Sequence, residues 1–149
     1  INARAEAVAI NRAFSAAFKS HRCLVVSDGF YEWRRNSAAK TPVFIRLKST
    51  TPFGFAGLYS ELTTAGDGVS LTCSIITTRA NALIGKIHDR MPVIIHKDDY
   101  DLWLGHEADA VSGLLRLYPD DEMEAVDVST MVNSTKNNSP ECIRPISLI

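Results

Sequence analysis

Cysteine is scarce in this sequence. There are three in 149 residues, Cys23, Cys73 and Cys142, an odd number, widely spaced and without a C-x-x-C pair. Such a set suggests neither a disulfide framework nor a zinc knuckle, and a reducing, intracellular setting is expected. Long apolar runs are missing too. None approaches the ~20 residues that a membrane-spanning helix needs, so no membrane association is expected. The chain does not open on a basic segment followed by an apolar core, and no secretory signal is read there. His21, His88, His96 and His106 show no i, i+4 pairing on a helix, so neither a metal site nor another cofactor is expected. Internal repeats and low-complexity blocks are absent as well.

What remains is the composition of an ordinary globular chain, 46% hydrophobic and of a length that suits a single domain over residues 1–149. The net charge of −1 hides a division along the chain. Residues 1–48 carry nine basic side chains against three acidic ones, whereas residues 98–127 carry ten acids against Arg116 alone. One face for a polyanion and one that repels it would follow, and so would two ordinary solvated surfaces.

The most aromatic six residues, Asp28-Gly29-Phe30-Tyr31-Glu32-Trp33, contain a carboxylate. In a strand, alternate side chains take opposite faces, which puts Glu32 beside Phe30 and sets Tyr31 with Trp33 on the other side. An acid held against apolar neighbours loses hydration in its charged form, and its pKa rises toward the range useful for proton transfer. A glutamate at a strand edge pointing to water is the plainer reading of the pattern.

Asn2 to Lys19 reads as a helix, alanine-rich, with Val8, Phe14 and Phe18 near helical spacing and Asn2 as its cap. Strands are expected at Cys23–Val26, at the Glu32 stretch, and then at Val43–Lys48, Phe53–Tyr59, Leu71–Thr78, Pro92–Ile95 and Met123–Val128. The glycines of Phe53–Tyr59 imply a close approach by another backbone. Short helices are expected over Asn81–Ile87, Lys97–Leu104 and Ala108–Leu117. Loops are expected from Arg34 to Thr41, from Ala65 to Gly68 and from Asn133 to Pro140. Strands following one another without a β-α rhythm point to an α+β fold. Its sheet should be mostly antiparallel, strongly curved and barrel-like, with flanking helices.

Three stretches then stand together: Asn2-Ala-Arg-Ala-Glu6, Asp28-Gly-Phe-Tyr-Glu-Trp33 and Ile87-His-Asp-Arg-Met-Pro92, supported by Ile76-Thr-Thr-Arg-Ala-Asn81. In this order and at this spacing the chain resembles the SRAP family, the SOS response-associated peptidases, also described as abasic-site processing proteins. The resemblance covers most of the chain. It implies a protein of the DNA-damage response that recognises abasic sites in single-stranded DNA as a monomer, in the cytoplasm or at a bacterial nucleoid. It also implies a covalent thiazolidine with the opened sugar aldehyde, and self-processing peptidase activity. By matching positions, Asn2 would orient the reacting amine, Glu32 would shuttle protons, and His88 would assist ring opening and reversal. Arg4 and Arg90 would hold phosphates, with Arg12, Trp33 and Thr77 as further DNA contacts.

These residue types suit that chemistry. Addition of an amine to an aldehyde needs a proton delivered and removed at one oxygen. Guanidinium groups grip phosphate without reading sequence, as a lesion without a base edge requires. Each residue also has a plainer role open to it. Asn2 can cap a helix, His88 can close one, Arg90 can pair with Asp89, and Tyr31 and Trp33 can be core aromatics.

The family's nucleophile is an N-terminal cysteine, and the segment carrying it is not among residues 1–149, so an N-terminally truncated domain is expected. A thiol peptidase using Cys23 with His88 and a non-catalytic single-stranded DNA-binding domain are the competing readings.

Overall fold

The computed structural model of the chain describes residues 2–34, 41–64, 68–105 and 108–146. Most of the loop expected before Thr41, and most of the turn expected at Ala65–Gly68, lie outside the described residues. The chain divides into two compact units. The first comprises Ile1–Ser27, Phe53–Arg79 and Met91–Tyr118, and the second Asp28–Pro52, Ala80–Arg90 and Pro119–Ile149.

The first unit is built on two long strands, β5 (Phe53–Thr64) and β6 (Gly68–Arg79), paired antiparallel from Gly57↔Ile75 outward to Thr64↔Gly68. On the other edge of β5, β2 (Arg22–Ser27) runs antiparallel, Arg22 opposite Leu58. The expected close approach occurs here: a Cβ on Gly57 would stand 2.8 Å from Cys23 Sγ and 3.2 Å from the Cys23 carbonyl oxygen. The two-residue β1 (Ala3–Arg4) lies parallel to β6, with Arg4 opposite Thr77. Short strands β7 (Arg90–Pro92, its last two residues in this unit) and β8 (Ile94–Ile95) complete the sheet.

The helix expected from Asn2 to Lys19 is reduced to α1 (Ser15–Ser20), preceded by turns. The cause is non-local. β6 takes the backbone of Ala3 and Arg4, and the Ala5 N–H donates to the Thr77 carbonyl at 2.8 Å, so alanine's helix preference is overridden. Asn2 therefore caps no helix. The segments 97–104 and 108–114 do turn helically, as 3₁₀ turns joined to α2 (Tyr100–Leu104) and α3 (Ala108–Val111). Ala3, Val8, Phe18, Ala56, Leu58, Ile76, Val93, Ile95, Trp103 and Val111 form the core under them. Each of the larger side chains contributes about 1.5–3 kcal/mol by leaving water.

The second unit holds a three-stranded antiparallel sheet in the order β3 (Phe30–Arg34), β4 (Thr41–Leu47), β9 (Met123–Asp127). Val43, Phe44 and Ile45 of its central strand are all buried, so this strand is covered on both faces. Only Ile84–Lys86 of the helix expected at Asn81–Ile87 forms, as a single 3₁₀ turn. The Asn81 side-chain oxygen caps it by accepting the Ile84 N–H at 2.9 Å.

The α+β class and the mainly antiparallel pairing agree with expectation, and β1 with β6 is the parallel exception. The barrel-like curvature does not. The strands divide between two sheets, one through β1, β6, β5 and β2 and one through β3, β4 and β9, neither closed nor strongly curled. No helix among the described residues is long and apolar enough to cross a membrane.

Candidate functional site

The two units divide the eight residues singled out from the sequence. Asn2, Arg4, Arg12 and Thr77 belong to the first, and Glu32, Trp33, His88 and Arg90 to the second.

In the second unit, β3 carries Glu32 opposite Val43, and the strand's alternation sets Tyr31 and Trp33 on the reverse face, as expected. Gly29 allows this strand to lie tight on β4, since a Cβ there would meet the Phe44 ring and stand 2.8 Å from the Ile45 carbonyl oxygen. His88 follows the 3₁₀ turn, its N–H donating to the Ile84 carbonyl at 2.8 Å. Its Nδ1 stands 4.0 Å from Glu32 Oε1 and 3.3 Å from Asp89 Oδ1, with the His88 and Glu32 side chains only 26% and 23% exposed. The Nδ1 atom is also 3.1 Å from both the N–H and the carbonyl oxygen of Arg90. These two contacts are alternatives. An unprotonated Nδ1 accepts from the Arg90 N–H, and a protonated one donates to the Arg90 carbonyl or to a carboxylate, so the imidazole is oriented in either state. Arg90 itself is half-buried at the start of β7.

In the first unit, the register of β1 on β6 sets Arg4 directly opposite Thr77, and the Thr77 hydroxyl donates to the Ala3 carbonyl at 3.3 Å. Asn2 is exposed one residue before this strand, and the Arg4 side chain is exposed. Arg12 lies exposed in the turns before α1 and is not brought onto β1 by any hydrogen bond or ion pair among the described residues.

The basic first third of the chain is not one cationic face. Arg34 pairs with Asp127 and Arg46 with Glu124, each at 2.6 Å, so acids of β9, late in the sequence, neutralise bases of β3 and β4, early in it. Arg22 is buried, and its guanidinium donates to the carbonyls of Phe18, Lys19, Trp103 and Gly105 and lies over the Trp103 ring. Burial pushes this guanidinium below its ordinary pKa.

Cys23 sits where its thiol form is favoured. Its half-buried thiol is raised above the ordinary value by burial and then by Cys73, and a thiol that keeps its proton attacks slowly. Among the described residues, no group of three or more His, Cys, Asp or Glu side chains is placed to hold a metal ion.

Sequence reasoning passed over two contacts. The Asp89 carboxylate reaches His88 Nδ1 at 3.3 Å. Trp33 donates its indole N–H to the Asn133 side-chain oxygen at 2.7 Å. Adjacency could have suggested the first. The second joins residues a hundred positions apart and leaves no local signal.

Comparison with known proteins bears on this arrangement. A family model described as "SOS response associated peptidase (SRAP)" matches residues 1–135. The chain is 46% identical over 147 residues to the abasic site processing protein YoqW of Bacillus subtilis, covering 96% of this chain and 66% of that one. It is 30% identical to the abasic site processing protein HMCES of Xenopus tropicalis, covering 99% of this chain and 50% of the other. A crystal structure of a protein from Bacteroides thetaiotaomicron superposes with a TM-score of 0.89 at 29% identity, over 98% of this chain and 66% of that one. The chain thus spans about two thirds or less of the length of these relatives.

Proposed function

The chain belongs to the SOS response associated peptidase (SRAP) family, and from that membership we propose that it acts on abasic sites in single-stranded DNA. The observation that carries the reading is the Glu32–His88 pair, a half-buried carboxylate and an imidazole 4.0 Å apart, supplied by two separate segments of one unit. Proton transfer is what such a pair provides, and amine addition to an aldehyde followed by loss of water requires it.

In this proposal the reacting group is an N-terminal cysteine, which residues 1–149 do not include. Its amine and thiol close on the opened sugar aldehyde as a thiazolidine, with water leaving. Asn2 orients the amine, Glu32 moves the proton at the carbonyl oxygen, and His88 assists ring opening and the reverse reaction. Arg4 and Arg90 hold the flanking phosphates, with Arg12 and Thr77 as further backbone contacts and Trp33 stacking on a base. The same pair would serve hydrolysis during self-processing. The family match over residues 1–135 takes in segments of both units, which supports treating them as one functional domain; in this proposal the domain acts as a monomer, in the cytoplasm or at a nucleoid.

The test is an abasic oligonucleotide incubated with residues 1–149, and in parallel with the protein bearing cysteine at its mature N-terminus. Only the second should give a band shifted in a denaturing gel. A shifted band from residues 1–149 would refute the role given to the N-terminal cysteine. No shifted band from either would refute the proposal.

A further inference from the structure

On β3 the face opposite Glu32 carries a row of rings. Tyr31 meets the buried Phe44 with centroids 5.2 Å apart and planes at 50°, and Trp33 meets Tyr31 at 6.4 Å and 42°. The row thus leads from the interior of this unit out to Trp33, which is half-buried opposite Pro42. Packing on Tyr31 restrains one side of the indole, and the hydrogen bond to Asn133 Oδ1 fixes its edge.

Asn133 is held in turn. It ends the 3₁₀ turn Thr130–Asn133, which Ser129 caps by accepting the Met131 N–H. The Asn137 side chain donates to the Met131 carbonyl at 2.7 Å, and Val128 bridges to Pro145 just beyond. Segment 129–139 contains asparagine, serine and threonine with Lys136 and no acid, so nothing in it repels a phosphate chain. Neutral-to-basic polar backbone beside a fixed aromatic face is the chemistry by which proteins grip single-stranded nucleic acid without reading its sequence.

We infer that Asn133 is a positioning residue that holds the Trp33 indole as a stacking platform for a nucleobase of single-stranded DNA. This rests on the DNA reading proposed above and extends it to Asn133.

The experiment follows the two indole N–H signals in ¹⁵N–¹H spectra of the protein, together with its affinity for a single-stranded oligonucleotide. Trp103, whose indole donates to the Cys23 carbonyl at 2.9 Å, serves as the internal reference for folding. Asn133→Leu should move the Trp33 signal, leave that of Trp103 in place, and weaken binding about tenfold, the scale of one lost stack. Asn133→Gln, which keeps an amide oxygen, should recover most of the affinity, and in a Trp33→Ala background Asn133→Leu should cost nothing further. Unchanged binding by Asn133→Leu while the Trp33 signal moves overturns the inference, as does a full additional loss in the Trp33→Ala background. If Asn133→Leu disturbs the Trp103 signal, Asn133→Ala is read by the same criteria. Failure of the unaltered protein to bind single-stranded DNA instead refutes the DNA reading itself, and the inference with it.

Discussion

The imidazole Nδ1 of His88 lies 4.0 Å from the Glu32 carboxylate, nearer the limit of an ion pair than a hydrogen bond, while the backbone of Arg90 stands at 3.1 Å. The Arg90 backbone, the closer of the two, orients the ring.

In the protein bearing the N-terminal cysteine, Glu32→Gln and His88→Asn should each slow covalent capture of abasic DNA by about 10²-fold or more, the usual cost of removing a positioned acid or base. Single-turnover gels measure this. If both variants react at the unaltered rate, the domain binds DNA without assisting the chemistry.

Arg4→Ala and Arg90→Ala should weaken binding to all single-stranded sequences alike. Each should lower the slope of log affinity against log salt by about one ion, since a phosphate contact releases roughly one condensed counterion. Fluorescence anisotropy across a salt series measures the slope. Arg34→Ala should leave it unchanged, because that guanidinium already pairs with Asp127.

Arg22→Leu should destabilise the fold by about 3 kcal/mol, because it removes the buried guanidinium that donates to carbonyl oxygens at the ends of α1 and α2. Arg22→Lys should not rescue it, since an ammonium cannot span acceptors arranged around a planar fork. Urea unfolding reports both.

Burial raises the Tyr31 phenol above its ordinary 10.0, with Cys142 and Asp28 adding to the shift, and raises the Cys23 thiol above 9.0, with Cys73 adding. The folded chain holds both protons more firmly than the unfolded chain. The stability each supplies is whole below its ordinary value and is lost as pH rises through the higher folded one. Urea unfolding repeated at rising alkaline pH should show this decline, and Tyr31→Phe should make it shallower above pH 10.0. Below that range, iodoacetamide should label exposed Cys73 before Cys23 or buried Cys142.

The sequence by itself determined the features that depend on neighbours along the chain. The two-residue alternation placed Glu32 and Trp33 on opposite faces of β3, the β-branched run before Arg79 became β6, and the three motifs carried the family. The tertiary structure decided whatever depends on a distant partner. Residues 2–14 have the composition of a helix, yet β6 draws Ala3 and Arg4 into a sheet. Arg46 looked like part of a cationic face until β9 brought Glu124 against it. Asn133 acquired a role only when its turn met Trp33. A hydrogen bond made across many intervening residues is worth as much as one made locally, and it leaves no period or spacing in the sequence from which it could be read.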